Sequence, residues 1–323
     1  MPKVAVTDYT FDSLDIETEL FHAQGLEVVS SREKPSSTEL KTLVADVDAV
    51  ITQFASINQE VIAAMTKAKA IVRYGIGVDN VDLESARAKG IPVCNVPDYC
   101  IDEVADQTLA FILGLTRNVV TNSLGVKSGQ WKLAGPLSSM KTLRDLTIGI
   151  VGCGRIGLEV IRRLVPFKCR VLAYDPVVSA SIIETSRGKP ASLDQLIRES
   201  DLISLHCPSS PQTRKMMNQV RFSQMKSGSF LINVARGDLV DTPALIEALQ
   251  SGKLAGAALD VCDPEPIPTD SPLLSMPNVI VSAHIASASV RAVRRLRETV
   301  ARIVIQVLQG GPAINVVNGV ASR

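Results

Sequence analysis

Three glycines and an aspartate carry the first chemical signal in this chain. Gly152, Gly154 and Gly157 form a G-x-G-x-x-G, and Asp175 stands 23 residues beyond Gly152. The glycines follow the apolar run Leu146 to Val151, which has the look of a buried parallel strand. An amphipathic helix comes next, with Ile156, Val160, Ile161 and Leu164 at helical spacing and Arg162 and Arg163 outside. A second strand, Arg170 to Tyr174, ends in Asp175. Gly152 allows a tight turn, Gly154 lets a pyrophosphate lie against the backbone, and Gly157 lets the helix pack close to the sheet. The helix N-terminus offers its unpaired N–H groups to the phosphates. Asp175 is placed to accept two ribose hydroxyls and to repel a 2′-phosphate, and Pro176 rather than an arginine follows it. The expected cofactor is therefore NAD rather than NADP. The glycine motif alone is weak evidence; the strand, the helix and the acid around it make the case.

A second set of residues could exchange a proton beside such a cofactor. The chain holds only three histidines. His22 sits in an exposed-looking helix, and His206 ends a strand that it can simply cap. His284 follows the last strand in a run of small residues that leave its ring room to face a ligand. Arg236 follows the strand Ser229 to Asn233, Asp260 ends the strand Ala255 to Asp260, and Glu265 lies just beyond, between Pro264 and Pro266. Ligands of doubly wound sheets sit outside the carboxyl ends of the strands, so these groups converge on one crevice. Singly, Arg236 reads as a surface ion pair, Glu265 as a solvated loop acid and His284 as a structural ring. Together at one sheet edge they read as a site. Arg236 would bind the carboxylate of a 2-oxo acid and polarise its carbonyl. A protonated His284 would donate to the carbonyl oxygen as hydride reaches the carbon. Glu265 would bond the far imidazole nitrogen, favouring the imidazolium and so raising the histidine pKa.

The elements that must position these groups alternate strand and helix from the start of the chain. Strands are expected at Val4 to Thr7, Leu26 to Ser30, Ala49 to Thr52, Ala70 to Arg73 and Val93 to Val96, with helices such as Leu14 to Ala23 and Ile57 to Lys67 between them. Tyr74-Gly75-Ile76-Gly77 follows the fourth strand, where backbone N–H groups can approach a ligand; a plain glycine turn, with Asp82 capping the next helix, is equally consistent. Ile101 to Arg117 predicts a long apolar helix with Asp102 at its N-terminus, crossing between domains. A connection holding Trp131 and Pro136 then leads to the glycine motif. Ser287 to Gln309 predicts a second long helix, whose tail can return to the first domain. The fold expected is α/β: a Rossmann-type doubly wound parallel sheet over residues 101–289, plus a smaller flavodoxin-like substrate domain from 1–100 and 290–323. Closure of the two domains about a hinge would expel water from the cleft.

Composition bounds the remaining possibilities. Hydrophobic residues at 46% and charged ones at 21% exclude a disordered chain. A net charge of +1 gives no field to recruit nucleic acid or a membrane surface. Arg291, Arg294, Arg295 and Arg297 interleave with Val290, Val293 and Leu296, the pattern of a solvated amphipathic face. Met216, Met217 and Met225 read as core filler. The six cysteines show neither C-x-x-C nor zinc spacing, so no metal site is expected and they read as reduced core thiols. No apolar run approaches the roughly 18–20 residues that span a bilayer. The N-terminus begins as a strand without a signal-peptide core, which leaves the cytoplasm as the expected compartment.

On these motifs the chain resembles the D-isomer-specific 2-hydroxyacid dehydrogenase family over essentially its whole length. Its RYGIGVDNVD resembles the family's substrate loop and VGCGRIG its cofactor loop. NVARGDLVD, AALDVCDPEP and SAHIAS resemble the segments of the catalytic arginine, glutamate and histidine. The resemblance implies an NAD(H)-dependent oxidoreductase that interconverts a D-2-hydroxy acid and its 2-oxo acid. It implies Arg236, Glu265 and His284 as catalytic residues, and Tyr74, Gly75, Ile76 and Gly77 as substrate contacts alongside Arg236 and His284. Arg155 and Ile156 would present backbone to the pyrophosphate, Thr108, Pro208 and Val234 would line the cofactor, and Asp260 would meet the nicotinamide carboxamide. A homodimer is implied too, joined through the cofactor domains and the segment before the glycine motif. The substrate loop is most similar to the C-terminal-binding-protein-like branch, which suggests an NAD-sensing scaffold as the rival reading. The tail resembles phosphite dehydrogenases, but those carry a lysine in the loop where this chain has Ile76.

Overall fold

Strands of a parallel sheet bury both faces, and these segments have the side chains to do so. The computed structural model describes residues 1–33 and 35–321. The chain folds into two compact units, Met1–Tyr99 with the chain from Ser289 on, and Cys100–Ala288.

In the first unit β1 (Lys3–Val6), β2 (Glu27–Ser30), β3 (Ala49–Thr52), β4 (Ile71–Arg73) and β5 (Val93–Cys94) form a five-stranded sheet in the order β2-β1-β3-β4-β5. All neighbours are parallel, and the order is flavodoxin-like. Its core gathers Ala5, Val50, Ile71 and Val93 from the strands with Leu40, Val44 and Ile62 from the helices. The helix expected from Ile57 to Lys67 is shorter, at Gln59–Ala64. Ile57 is held in a bridge to Val81, and the Asn58 side chain caps the helix by accepting from the Val61 N–H. Asp82 caps the helix Leu83–Ala88 through the Ser85 N–H.

The second unit contains β6 (Thr147–Val151), β7 (Arg170–Tyr174), β8 (Lys189–Pro190), β9 (Leu202–Leu205), β10 (Ser229–Asn233), β11 (Leu254–Leu259) and β12 (Val279–Val281). They pair in parallel in the order β12-β11-β10-β9-β6-β7-β8, a doubly wound Rossmann-type sheet. Alternate residues feed two cores. Val151, Ile203, Leu205, Leu231, Ala257 and Leu259 pack on one face, with Met216, Met217 and Met225. Ile148, Ile150, Leu202, Phe230, Ile232 and Ala258 pack on the other, against the helices Ile101–Thr116 and Arg155–Leu164. Those two helices are also tied by charge. Asp102 lies inside the first turn rather than at the cap, and Arg163 bonds both Asp102 (2.7 Å) and Asp106 (3.0 Å). The strand order reverses between β6 and β9, and that switch point places the crevice at the ends of these two strands.

Two expectations need correction. The connection after Arg117 contains a helix, Val119–Lys127, which buries none of its residues and so has no apolar stripe to betray it in the sequence. The arginine-rich helix, Val290–Leu308, is not solvated at every arginine: Arg297 is only 7% exposed and meets the buried Glu17. Among the described residues no single helix is long and apolar enough to cross a membrane.

Candidate active site

The glycine loop is shaped by what a side chain would strike. β6 ends at Val151, and Gly152 turns the chain at φ +95° with its N–H donating to Tyr174 O (2.8 Å). A Cβ there would sit 2.6 Å from the backbone of His206 and Cys207, and one on Gly157 only 2.0 Å from Gly152 O. Gly154 faces open space and precedes the helix Arg155–Leu164, whose first amides at Arg155 and Ile156 point outward as any helix start leaves them. Asp175 Oδ2 accepts from the Cys153 N–H (2.7 Å), while Oδ1 accepts from Val177 (2.8 Å) and Val178 (3.0 Å). Burial pushes this carboxyl up, but the three amides outweigh it and hold the pKa below the ordinary aspartate value. Asp175 therefore stays anionic at the rim of an open glycine loop. An NAD pyrophosphate and ribose fit that arrangement.

The proton-handling groups are assembled from three loops of the same sheet. His284 Nδ1 lies 2.7 Å from Glu265 Oε1. Burial raises the Glu265 carboxyl, but the His284 hydrogen bond and charge, helped by the Cys262 N–H and the Arg236 charge, bring it below the usual glutamate value. Arg236 is brought beside them by Gly237, whose Cβ would lie 1.8 Å from Cys262 O. The Arg236 loop and the Glu265 loop can touch only because that atom is missing. Thr242 Oγ1 reinforces the contact by donating to Asp263 O (2.8 Å).

Two residues missed by sequence reasoning hold these loops. Asn233, 1% exposed at the end of β10, accepts from the Ala235 N–H (3.1 Å) and donates to Arg236 O (2.8 Å). Ser282 donates to Asp260 Oδ1 (2.5 Å). The signal for Asn233 was chemical: a polar residue ending a buried strand must find partners. Asp260, 2% exposed, also accepts from the N–H groups of Ile285 and Ala286 (both 2.9 Å), and its carbonyl accepts from the His284 N–H (2.8 Å). These bonds close a turn around His284, which sits at φ +54°. The carboxylate expected to meet a nicotinamide carboxamide thus spends most of its accepting capacity inside the protein.

The other expected positions are distributed unevenly. Pro208 is exposed just past β9, and Val234 is half-buried just past β10. Thr108, expected to line the cofactor, is fully buried and donates back to Val104 O (2.7 Å), so its side chain presents no surface to a ligand. Gly75, Ile76 and Gly77 follow β4 in the other unit, with Gly75 at φ +141°. Tyr74 departs from the expected pocket wall: it is 1% exposed and its hydroxyl donates to Glu17 (2.8 Å). Arg73 went unnoticed in the sequence; its guanidinium lies where a Cβ on Gly75 would be and 6.0 Å from the Phe54 ring centre.

Competing nucleophiles are silent. None of the six cysteines is bridged, and burial pushes Cys153 up to about 12 and Cys207 and Cys262 to about 11. His22 is exposed at the end of its helix. His206 packs beneath the glycine loop with Nε2 2.9 Å from Ser204 Oγ, and burial lowers its pKa to about 3. It is neutral throughout the physiological range.

The chain is similar to known proteins over most of its length. Residues 109–286 match the family model described as D-isomer specific 2-hydroxyacid dehydrogenase, NAD binding domain. The glyoxylate reductase of Thermofilum pendens is 38% identical over 85% of this chain and 83% of its own length. The hydroxypyruvate reductase of Thermotoga maritima is 35% identical over 88% of this chain and 92% of its own. A crystal structure of the D-lactate dehydrogenase from Aquifex aeolicus, complexed with NAD and lactic acid, superposes with a TM-score of 0.84. It is 30% identical and covers 95% of this chain and 96% of that one.

The half-buried His206 sets an acid limit. It is neutral when folded but binds a proton near pH 6.5 once unfolded, so its contribution to stability is whole above 6.5 and is lost as pH falls toward about 3. Thermal midpoints measured across that window should fall less steeply for His206→Gln than for the unaltered protein. Parallel slopes would show that the ring is protonated in the folded state.

Proposed function

The chain belongs to the D-isomer-specific 2-hydroxyacid dehydrogenase family, NAD-dependent oxidoreductases acting on a CH–OH group, and from that premise we propose that it reduces a small 2-oxo acid such as glyoxylate or hydroxypyruvate. The observation that carries this reading is the 2.7 Å contact between His284 and Glu265, with the charge of Arg236 felt at the same carboxylate. The nicotinamide, when bound, supplies the hydride.

The chain's own residues do the rest. Arg236 binds the substrate carboxylate and draws electron density from the neighbouring carbonyl. Glu265 remains anionic and fixes the His284 ring through Nδ1, so the proton passes from Nε2 to the carbonyl oxygen as the carbon is reduced. In the reverse direction Nε2 takes the hydroxyl proton. Asp175 accepts the ribose hydroxyls, and the Arg155 and Ile156 amides receive the pyrophosphate. Gly75, Ile76 and Gly77 offer backbone to the substrate. Ile76 gives no cation for phosphite, and a full set of proton-handling groups favours turnover over an NAD-sensing scaffold. Six unbridged cysteines support a reducing, cytoplasmic setting.

We also assign a homodimer. Val119, Val120, Leu124, Val126, Trp131, Leu133 and Leu137 are exposed on one stretch, Trp131 at 90%, more apolar surface than a solitary subunit usually leaves to water. A second copy meeting this stretch would bury it.

Two measurements test the reading. His284→Gln should cut turnover of glyoxylate or hydroxypyruvate by roughly 10²- to 10⁴-fold while NADH affinity stays within about twofold. Retained turnover would remove His284 from the mechanism, and an unaltered enzyme that binds NADH but reduces no 2-oxo acid would sink the assignment. Light scattering should give a dimer mass that Leu124→Asp lowers to the monomer; a monomeric unaltered protein refutes the interface.

A further inference from the structure

A buried ionic cluster stands directly behind the loop Gly75–Gly77, and the reaction assigned above makes no use of it. Glu17, on the helix Asp15–His22, is wholly buried. Arg297 reaches it from the helix Val290–Leu308 with Nε 3.0 Å from Oε1 and Nη2 2.6 Å from Oε2. The same Nη2 donates to Ser13 O and to Asp15 Oδ1, both at 2.8 Å, and the guanidinium stacks 5.0 Å from the Phe11 ring centre. Tyr74 completes the group: its hydroxyl donates to Glu17 Oε1 at 2.8 Å, and its ring meets Phe11 edge-on at 5.2 Å. Burial first, then the Glu17 charge, raises the phenol pKa well above its ordinary value, so the hydroxyl remains a donor.

Stability alone does not call for such a cluster, because apolar side chains of similar volume often serve a core as well as a buried ion pair. An ion pair, unlike an apolar contact, fixes direction. Here the direction is imposed on the residue immediately before the turn. The Tyr74 N–H donates to Thr52 O (2.9 Å), Gly75 O accepts from the Val96 N–H (3.0 Å), and Ile76 O accepts from Asn95 Nδ2 (2.6 Å). The loop is pinned downstream by residues 95 and 96 and upstream by the Tyr74 ring.

We propose that Glu17, Arg297 and Tyr74 are positioning residues for the substrate loop, holding the strand-to-loop junction so that Gly75–Gly77 meets the 2-oxo acid in a fixed orientation. This rests on the reading of that loop as a substrate contact.

The test is steady-state kinetics with glyoxylate and hydroxypyruvate, joined to amide hydrogen exchange. Tyr74→Phe keeps the ring and loses the hydroxyl; Glu17→Met with Arg297→Met keeps volume and loses the ion pair. Both should raise KM for the 2-oxo acid about tenfold, with kcat and NADH affinity within about twofold, the scale expected for one lost hydrogen bond. Exchange should quicken at the Tyr74 and Val96 amides but not in β1. A KM within about twofold of the unaltered enzyme for both variants overturns the proposal, as does exchange that quickens evenly through the sheet, which marks a merely structural role. If the unaltered protein reduces neither acid, the functional reading fails by itself. Exchange then decides the positioning: confined to Tyr74 and Val96 it supports the role, and uniform or unchanged it overturns it.

Discussion

A buried carboxylate must be surrounded by donors, and Asp260, 2% exposed, meets that requirement at the carboxyl edge of the larger sheet. Its donors are Ser282 and the amides of Ile285 and Ala286, so the chain leaving β12 has to curl back over the end of β11. That curl puts His284 in a left-handed conformation, an arrangement a non-glycine residue adopts only when its surroundings enforce it. The Asp260 N–H in turn donates to Asn233 O (2.9 Å), and the Asn233 side chain grips Arg236 O. The loops of Arg236 and His284 are therefore fixed to one another through two buried polar residues at the ends of adjacent strands.

Electrostatics follows from this scaffold. Glu265 and Asp175 are partly withdrawn from water, which alone would favour their neutral forms, yet each is held below its ordinary pKa by directed donors. For Glu265 the donors are the imidazole it orients and the Cys262 N–H; for Asp175 they are three backbone amides. His206 finds no acceptor at its buried Nδ1, and burial drives the ring neutral.

The strands were readable because parallel strands buried on both faces are continuous apolar runs: Ala49–Thr52, Arg170–Tyr174 and Ser229–Asn233 lie where the sequence places them. Arg236, Glu265 and His284 could be located at the sheet's carboxyl edge for the same reason. What could not be read were partnerships. Nothing in the sequence around Tyr74 points to Glu17, or around Glu17 to Arg297, since those contacts join residues 57 and 280 positions apart. Arg297 looked like one more surface arginine because periodicity reports the face of a helix and not the charge waiting opposite it. The helix Val119–Lys127 escaped because it has no buried face to set a period.

The first unit takes residues from two distant stretches of the chain, and this bears on the order in which it is made. During synthesis Glu17 leaves the ribosome long before Arg297, which follows 280 positions later on the helix that covers it. Until then a carboxylate destined for complete burial has no counter-charge, and a core closed around it would be penalised heavily. Val93, at the edge of the same sheet, also waits for the Asn318 side chain to accept from its N–H (3.1 Å). Residues 100–288 carry every strand of the larger sheet and draw on neither stretch to complete it. The larger sheet can form while the smaller one remains open, and the arrival of Arg297 and Asn318 is what seals the first hundred residues.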